Sequence, residues 1–229
     1  MKISRINSES ICSEKEEHDR FFNPYMNIPY FPDDQIVDLR MLTGVENAPL
    51  ELEIGFGRGH FLLDRGRAAP AHGIIGLETK RKGVFTAVTR KNKHQIYNIH
   101  PFHGDVFSVL PRIQPESCIE RCFVHFPDPW WKLRHEKRIV VCAEIITEIA
   151  RLLVDNGELF IQTDVPYRAE QYSKLLLESA LFYSKNENGM TDENPYNARS
   201  LREKKCIAGM LPIYRLLFLR QSRSKENRL

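Results

Sequence analysis

The stretch Glu51-Leu52-Glu53-Ile54-Gly55-Phe56-Gly57-Arg58-Gly59 constrains this chain more than any other. Leu50–Ile54 reads as a short strand that stops in three glycines within five residues, and a helical pattern begins at about Arg58. Glycines between a strand and a helix let the backbone approach a ligand at the helix N-terminus. The stretch therefore predicts a βα unit with a binding turn. The same alternation recurs along the chain. Gly73–Leu77, Gln95–Ile99, Arg121–Phe126 and Gly157–Thr163 read as further strands. Lys80–Lys91, His135–Val154 and Tyr167–Ala180 read as helices. Leu181–Lys185 and Ile213–Arg220 add two late strands with little helix between them, as an antiparallel edge hairpin would. Strand–helix alternation implies an α/β fold: a doubly wound, mostly parallel seven-stranded sheet, covered on both faces.

Residues 46–220 form the predicted domain. Residues 1–45 are expected to be irregular, broken at Asn23-Pro24, Ile28-Pro29 and Phe31-Pro32, with Phe21, Phe22, Tyr25, Tyr30 and Phe31 fastening the segment to the body. Residues 221–229 read as a basic tail. Over residues 1–53 there are 5 basic and 11 acidic side chains; over residues 199–229 there are 9 and 2. A basic end on a near-neutral body suits a polyanionic partner, though it also suits a solvated tail. No apolar run approaches the roughly 18 residues of a membrane span, and the start resembles no secretory signal, so a cytoplasmic protein is expected. The five cysteines are scattered and odd in number, which argues against a disulfide framework. Cys118 and Cys122 lack a second ligand pair, so no metal site is expected.

A dinucleotide site expects G-x-G-x-x-G, whereas this chain has G-x-G-x-G preceded by Glu53. An acid there would repel a pyrophosphate and suit the ammonium of a methionine moiety. Glu78 ends the second strand, where a carboxylate can accept from both hydroxyls of a ribose. Gly104-Asp105 comes after the third strand; Asp105 can accept from an adenine amine, cap the next helix, or do both. Phe126-Pro127-Asp128-Pro129-Trp130-Trp131-Lys132-Leu133-Arg134-His135-Glu136-Lys137-Arg138 is the most specific element. Two prolines stiffen the turn around Asp128, the indoles offer stacking surface, and four cations can hold phosphates. Gln162-Thr163-Asp164 brings another carboxylate to the same sheet edge, with helix capping as the structural alternative. Ser200-Leu201-Arg202-Glu203 has capping-box spacing and can also face a substrate.

Taken in order, E-I-G-F-G-x-G, G-L-E, G-D, F-P-D-P-W-x-K-x-R-H-x-K-R and T-D resemble the bacterial tRNA (guanine-N7)-methyltransferase family, from about Leu50 to Arg220. The resemblance implies a class I methyltransferase (Rossmann-like) fold. It implies S-adenosyl-L-methionine as methyl donor and a guanine of the tRNA variable loop as acceptor. By motif matching it implies Glu53, Glu78, Asp105 and Asp128 as cofactor-binding acids beside Gly55, Gly57 and Gly59. It implies Asp128 at the reaction centre, and Lys132, Asp164 and the Ser200–Glu203 element toward tRNA. The family's late T-x-x-E element commonly carries an aromatic before the Glu; here Ser200 replaces Thr and Arg202 stands at the aromatic position.

Three other readings compete. Methylation of an exocyclic amine on another nucleic acid or protein would use a similar acid-proline-aromatic turn, but here the acid lies between the prolines. An inactive RNA-binding protein on the same fold would not need all four acids and three glycines. A nicotinamide oxidoreductase is disfavoured by Glu53. A monomer and a homodimer are equally compatible with the sequence.

Overall fold

The computed structural model of the protein describes residues 23–127 and 139–223. Five strands run parallel: β1 (Leu50–Ile54), β2 (Gly73–Glu78), β3 (Ile99–His103), β4 (Ile119–His125) and β5 (Leu153–Thr163). The sheet is completed by β7 (Tyr214–Arg220), which pairs antiparallel with both β5 and the edge strand β6 (Phe182–Tyr183). Their spatial order is β3-β2-β1-β4-β5-β7-β6. The expected seven-stranded α/β sheet with an antiparallel edge is thus present. Successive strands run outward from β1 to β3, then the chain returns to lay β4 on the other side of β1. Ligands in such sheets bind beyond the carboxyl ends of the strands flanking that reversal. Here those ends are Gly55 after β1 and Phe126 after β4.

The helices are α1 (Leu39–Thr43), α2 (His60–Ala68), α3 (Arg81–His94), α4 (Val106–Val109), α5 (Ala143–Leu152), α6 (Pro166–Glu178) and α7 (Leu201–Ala208). Every residue of β1 and β2 is buried, as strands covered on both faces must be. The largest apolar cluster joins Leu52, Ile75, Val124, Ile161 and Leu216 of the sheet to Ile145, Ile149 and Leu176 of α5 and α6.

Three expected boundaries move. The third strand is Ile99–His103, not Gln95–Ile99. Gln95 adopts φ 53° as the left-handed cap of α3, and Ile96 turns into the core. Pro101, which can give no ladder N–H, sits in β3 because that strand bonds to β2 alone within the sheet. Within the described residues the helix expected over His135–Val154 is Ala143–Leu152, and Leu153 and Val154 already belong to β5. An unbroken apolar run does not by itself distinguish buried helix from buried strand. Finally, the leading segment is not wholly irregular. Asp38 caps α1 by accepting from the backbone N–H groups of Arg40 and Met41, and Val37–Asp38 pairs in parallel with Ile113–Gln114.

Of the aromatics expected to fasten the leading segment, Phe21 and Phe22 lie outside the described residues and Tyr30 is exposed. Phe31 is buried, and Tyr25 packs edge-on against Phe85 with centroids 5.4 Å apart. Its backbone extends the sheet: Phe31 N donates to His103 O (2.8 Å) and His103 N to Pro29 O (2.8 Å). At the other end, part of the basic tail is structural. Arg223 donates to the carbonyls of Ala150, Arg151 and Leu153 and to Asp155 Oδ1, and Arg220 Nε donates to Ala150 O. These cations satisfy the last carbonyls of α5, where the helix dipole favours positive charge.

Candidate active site

The glycine turn is held open by its own backbone. Gly57 and Gly59 have φ of 59° and 73°, a region that costs other residues strain. A side chain at Gly59 is excluded twice over, because its Cβ would lie 2.7 Å from Ala87 Cβ on α3. Glu78 fixes the turn from the next strand. Its Oε2 accepts from Gly57 N (2.8 Å) and its Oε1 from Lys80 N (2.8 Å). The acid expected to hold a ribose therefore also clamps the glycine turn to α3.

A cavity of about 340 Å³ opens beside this turn. Glu53, Gly55, Gly57, His125 and Phe126 line it together with Ser200, Leu201 and Arg202. Glu53 is buried, and its Oε1 lies 3.0 Å from His125 Nδ1. Burial raises the titration of Glu53 above the ordinary glutamate range, with His125 opposing the shift. Its Oε2 has no hydrogen-bond partner among the described residues. Phe126 adopts φ 47° immediately before Pro127, a strained geometry of the kind that gathers at functional sites. Arg58 and Lys205, both exposed, stand at the cavity with no ion-pair partner among the described residues.

Asp105 is exposed and caps α4, accepting from Phe107 N at 3.0 Å. Asp164 does not cap α6, whose cap residue is Val165. Instead Asp164 Oδ2 accepts from Arg202 Nε (2.9 Å) and also from its Nη2. Two residues expected separately toward the substrate are thus one ion pair, of which Arg202 lines the cavity. Ser200 caps α7 by accepting from Glu203 N (3.1 Å). Glu203, expected with the Ser200 element, points inward. It is fully buried, with its carboxylate accepting from Asn194 Nδ2 (3.0 Å) and Arg215 Nη2 (3.2 Å). Arg215, its partner, lies on β7. Asp128, at the expected reaction centre, and Lys132 lie outside the described residues. Cys118 and Cys122 are buried, and burial raises both thiols, Cys118 to about 11.

The element carrying Ser200 is pinned from the opposite end of the sheet. Arg65 donates to both oxygens of buried Glu51 (2.8 and 2.7 Å) and to Tyr196 O (2.9 Å). Tyr196 packs edge-on against Phe123 and Phe160. Arg58 and Lys205 stand within the glycine stretch and the Arg199–Lys205 element, whereas His125 belongs to neither motif. His125 carried one usable signal: a polar residue ending the otherwise apolar Cys122-Phe123-Val124, on the strand next to Glu53.

Comparison with known proteins agrees with this geometry. Residues 47–216 match the family described as "Putative methyltransferase". A tRNA (guanine-N(7)-)-methyltransferase of Synechococcus sp. (strain JA-3-3Ab) is 32% identical over 167 residues, covering 73% of this chain and 70% of the relative. The chain belongs to the tRNA (guanine-N7)-methyltransferase family. A second relative of that name, from Anaeromyxobacter dehalogenans (strain 2CP-C), is 31% identical and spans 80% of this chain and 91% of its own. Among solved structures, the 16S rRNA methyltransferase KamB aligns with a TM-score of 0.59 at 11% identity, covering 85% of this chain and 98% of its own. The 30S ribosomal A1408 methyltransferase from an uncultured bacterium aligns with 0.56 at 18%, covering 85% and 99%. At such identities these structures speak for the shared class I methyltransferase fold alone.

Proposed function

We propose that the protein transfers a methyl group from S-adenosyl-L-methionine to N7 of a guanine in tRNA, in the variable loop as the family resemblance implies. One observation supports this reading above the rest: the glycine turn and Glu53 share a single cavity with Ser200, Leu201 and Arg202 of α7. A donor side and an acceptor side thus meet in one space.

The residues present fit the cofactor. A buried carboxylate oxygen without a partner, Glu53 Oε2, suits an ammonium. The glycine turn leaves room for a ligand, since nothing stands within 4 Å of where a Cβ of Gly57 would be. In this reading Glu53 and the turn hold the methionine end, Glu78 the ribose, and Asp105 the adenine. When bound, the cofactor supplies an electrophilic methyl group on a sulfonium. Guanine N7 has a free lone pair, so the chain need not remove a proton before attack. Its task is to orient the base and exclude water. Arg58 and Lys205 are placed to hold phosphates at the rim. The Asp164–Arg202 pair gives the guanine edge an acceptor and the backbone a cation once the two part. From sequence, Asp128 accepts from the guanine edge or orients the cofactor, and Lys132 holds a phosphate. The catalytic domain of this reading is residues 46–220, with Arg223 fastened to it and the cations beyond left for RNA.

The test is incubation with methyl-labelled S-adenosyl-L-methionine and unmodified tRNA, then digestion to nucleosides. Label in 7-methylguanosine, lost in Asp128→Ala, is the expected result. Label in an exocyclic-amine product, or none at all with wild-type protein, refutes the assignment.

A further inference from the structure

Positive charge gathers at the cavity around His60, the first residue of α2. Arg58 and His60 line the cavity. Arg90 of α3 stands against them from outside that lining: its Nη1 donates to Arg58 O (3.3 Å) and lies 3.1 Å from His60 Nε2 and 3.4 Å from Nδ1. From α7, Lys205 lines the same cavity, and Lys204 reaches Asp64 at 2.6 Å. Asp64, the carboxylate facing His60, is shared by Lys204 and Arg67. Arg58, Arg90 and Lys205 have no ion-pair partner among the described residues. Burial, then the charges of Arg90, Lys204 and Arg58, hold His60 below the ordinary histidine range, with Asp64 opposing them. The imidazole is therefore neutral at pH 7, pressed against a guanidinium. Like charges held this close repel, and an anion brought between them relieves the repulsion. Arg90 lies beyond the cavity lining, so the cluster continues outside the space a small ligand fills. That extension suits a phosphodiester backbone passing the mouth.

We propose that Arg58, His60 and Arg90 form a phosphodiester site for the RNA backbone beside the target base, and that a proton from solvent joins His60 when the phosphate enters. The inference rests on the reading of this protein as a tRNA methyltransferase and deepens it. It adds His60 and Arg90 to the RNA contacts and makes RNA binding proton-linked. The sign follows from the charges: the phosphate favours the imidazolium that the free cluster disfavours, so affinity rises as pH falls.

The test measures binding of unmodified tRNA at saturating S-adenosylhomocysteine, at pH 7.5 and 6.0, for wild type, His60→Gln, Arg90→Gln and Arg90→Lys. Uptake of one proton gives at most about tenfold in affinity per pH unit. Wild type should tighten about 3- to 10-fold more than H60Q over this interval. Calorimetry in two buffers of different ionisation heat should count proton uptake in wild type and less in H60Q. R90Q should weaken tRNA about 3- to 10-fold, lower the salt slope by about 1, and leave S-adenosylhomocysteine within about 3-fold. R90K should recover most of the tRNA affinity. An equal pH response in wild type and H60Q overturns the inference and leaves the tRNA reading standing. So does an R90Q that loses S-adenosylhomocysteine as much as tRNA, since Arg90 would then brace the glycine turn or serve the cofactor's carboxylate. Failure of wild type to bind tRNA overturns the tRNA reading itself.

Discussion

Glu203 decides whether the element opening α7 is a set of substrate ligands or a ligand-bearing edge on a buried support. The side chain is wholly enclosed, and its partner Arg215 is 14% exposed. Replacing Glu203 with Ala takes the carboxylate from a nearly buried guanidinium, which keeps its bond to Asp192 O, and removes one of the two acceptors of Asn194 Nδ2. Breaking one side of a buried ion pair costs about 3–5 kcal/mol. Partial exposure of Arg215 favours the lower end, near 3 kcal/mol. For a domain of this size 1 kcal/mol shifts the melting temperature by about 2–4 °C, so a fall of about 6–12 °C is expected. Differential scanning calorimetry at pH 7 reads it directly. Glu203→Gln keeps the hydrogen-bonding shape and should fall by less than half as much. Any loss of tRNA affinity in Glu203→Ala should track the loss of stability. A variant that melts within 1 °C of wild type yet no longer binds tRNA would refute the support role.

The ion-pair networks carry two further expected outcomes. Burial alone would raise the titration of Glu51, but the hydrogen bonds and charges of Arg65, Arg121 and His72 outweigh it and hold the group below its ordinary range. A lowered folded-state value means stability that is fully present above the unfolded value, about 4.3, and lost as pH falls through the folded one. Urea midpoints should therefore drop below about pH 4, and less steeply in Glu51→Gln. Arg223→Ala, which frees several carbonyls at the end of α5, should cost about 1.5–3 kcal/mol in urea unfolding. Deleting residues 224–229 should leave the midpoint unchanged, and a shared loss would contradict the anchoring role.

Where sequence reading succeeded, local and global demands coincided. The run Leu50–Ile54 places Leu50, Leu52 and Ile54 in the core with Glu51 and Glu53 buried between them, and Gly55, Gly57 and Gly59 are glycines because each has positive φ. Composition and conformation therefore point the same way. At Gln95–Ile99 they part: the apolar Ile96 and Ile99 look like one strand, yet Gln95 reverses the chain just before Ile96. Likewise Leu152-Leu153-Val154 continues the apolar pattern of α5 while the backbone extends into β5. In the site, the acids were legible as types and positions, but not their partners. Nothing in spacing says that Asp164 will meet Arg202, or that Glu203 will turn inward to Arg215. Such pairings join residues far apart in the chain and depend on β7 lying antiparallel beside β5.

The hydrogen bonds between Pro29, Phe31 and His103 bear on how this molecule meets copies of itself. A seven-stranded sheet would otherwise end in two rows of unpaired amides, each a template for a foreign strand. On the β3 side, the segment through Pro29–Phe31 already occupies part of that row. On the other, β6 is only two residues long and offers almost nothing to extend. Among the described residues both margins are thereby blunted, and the sheet offers little template for strand-by-strand fibre growth.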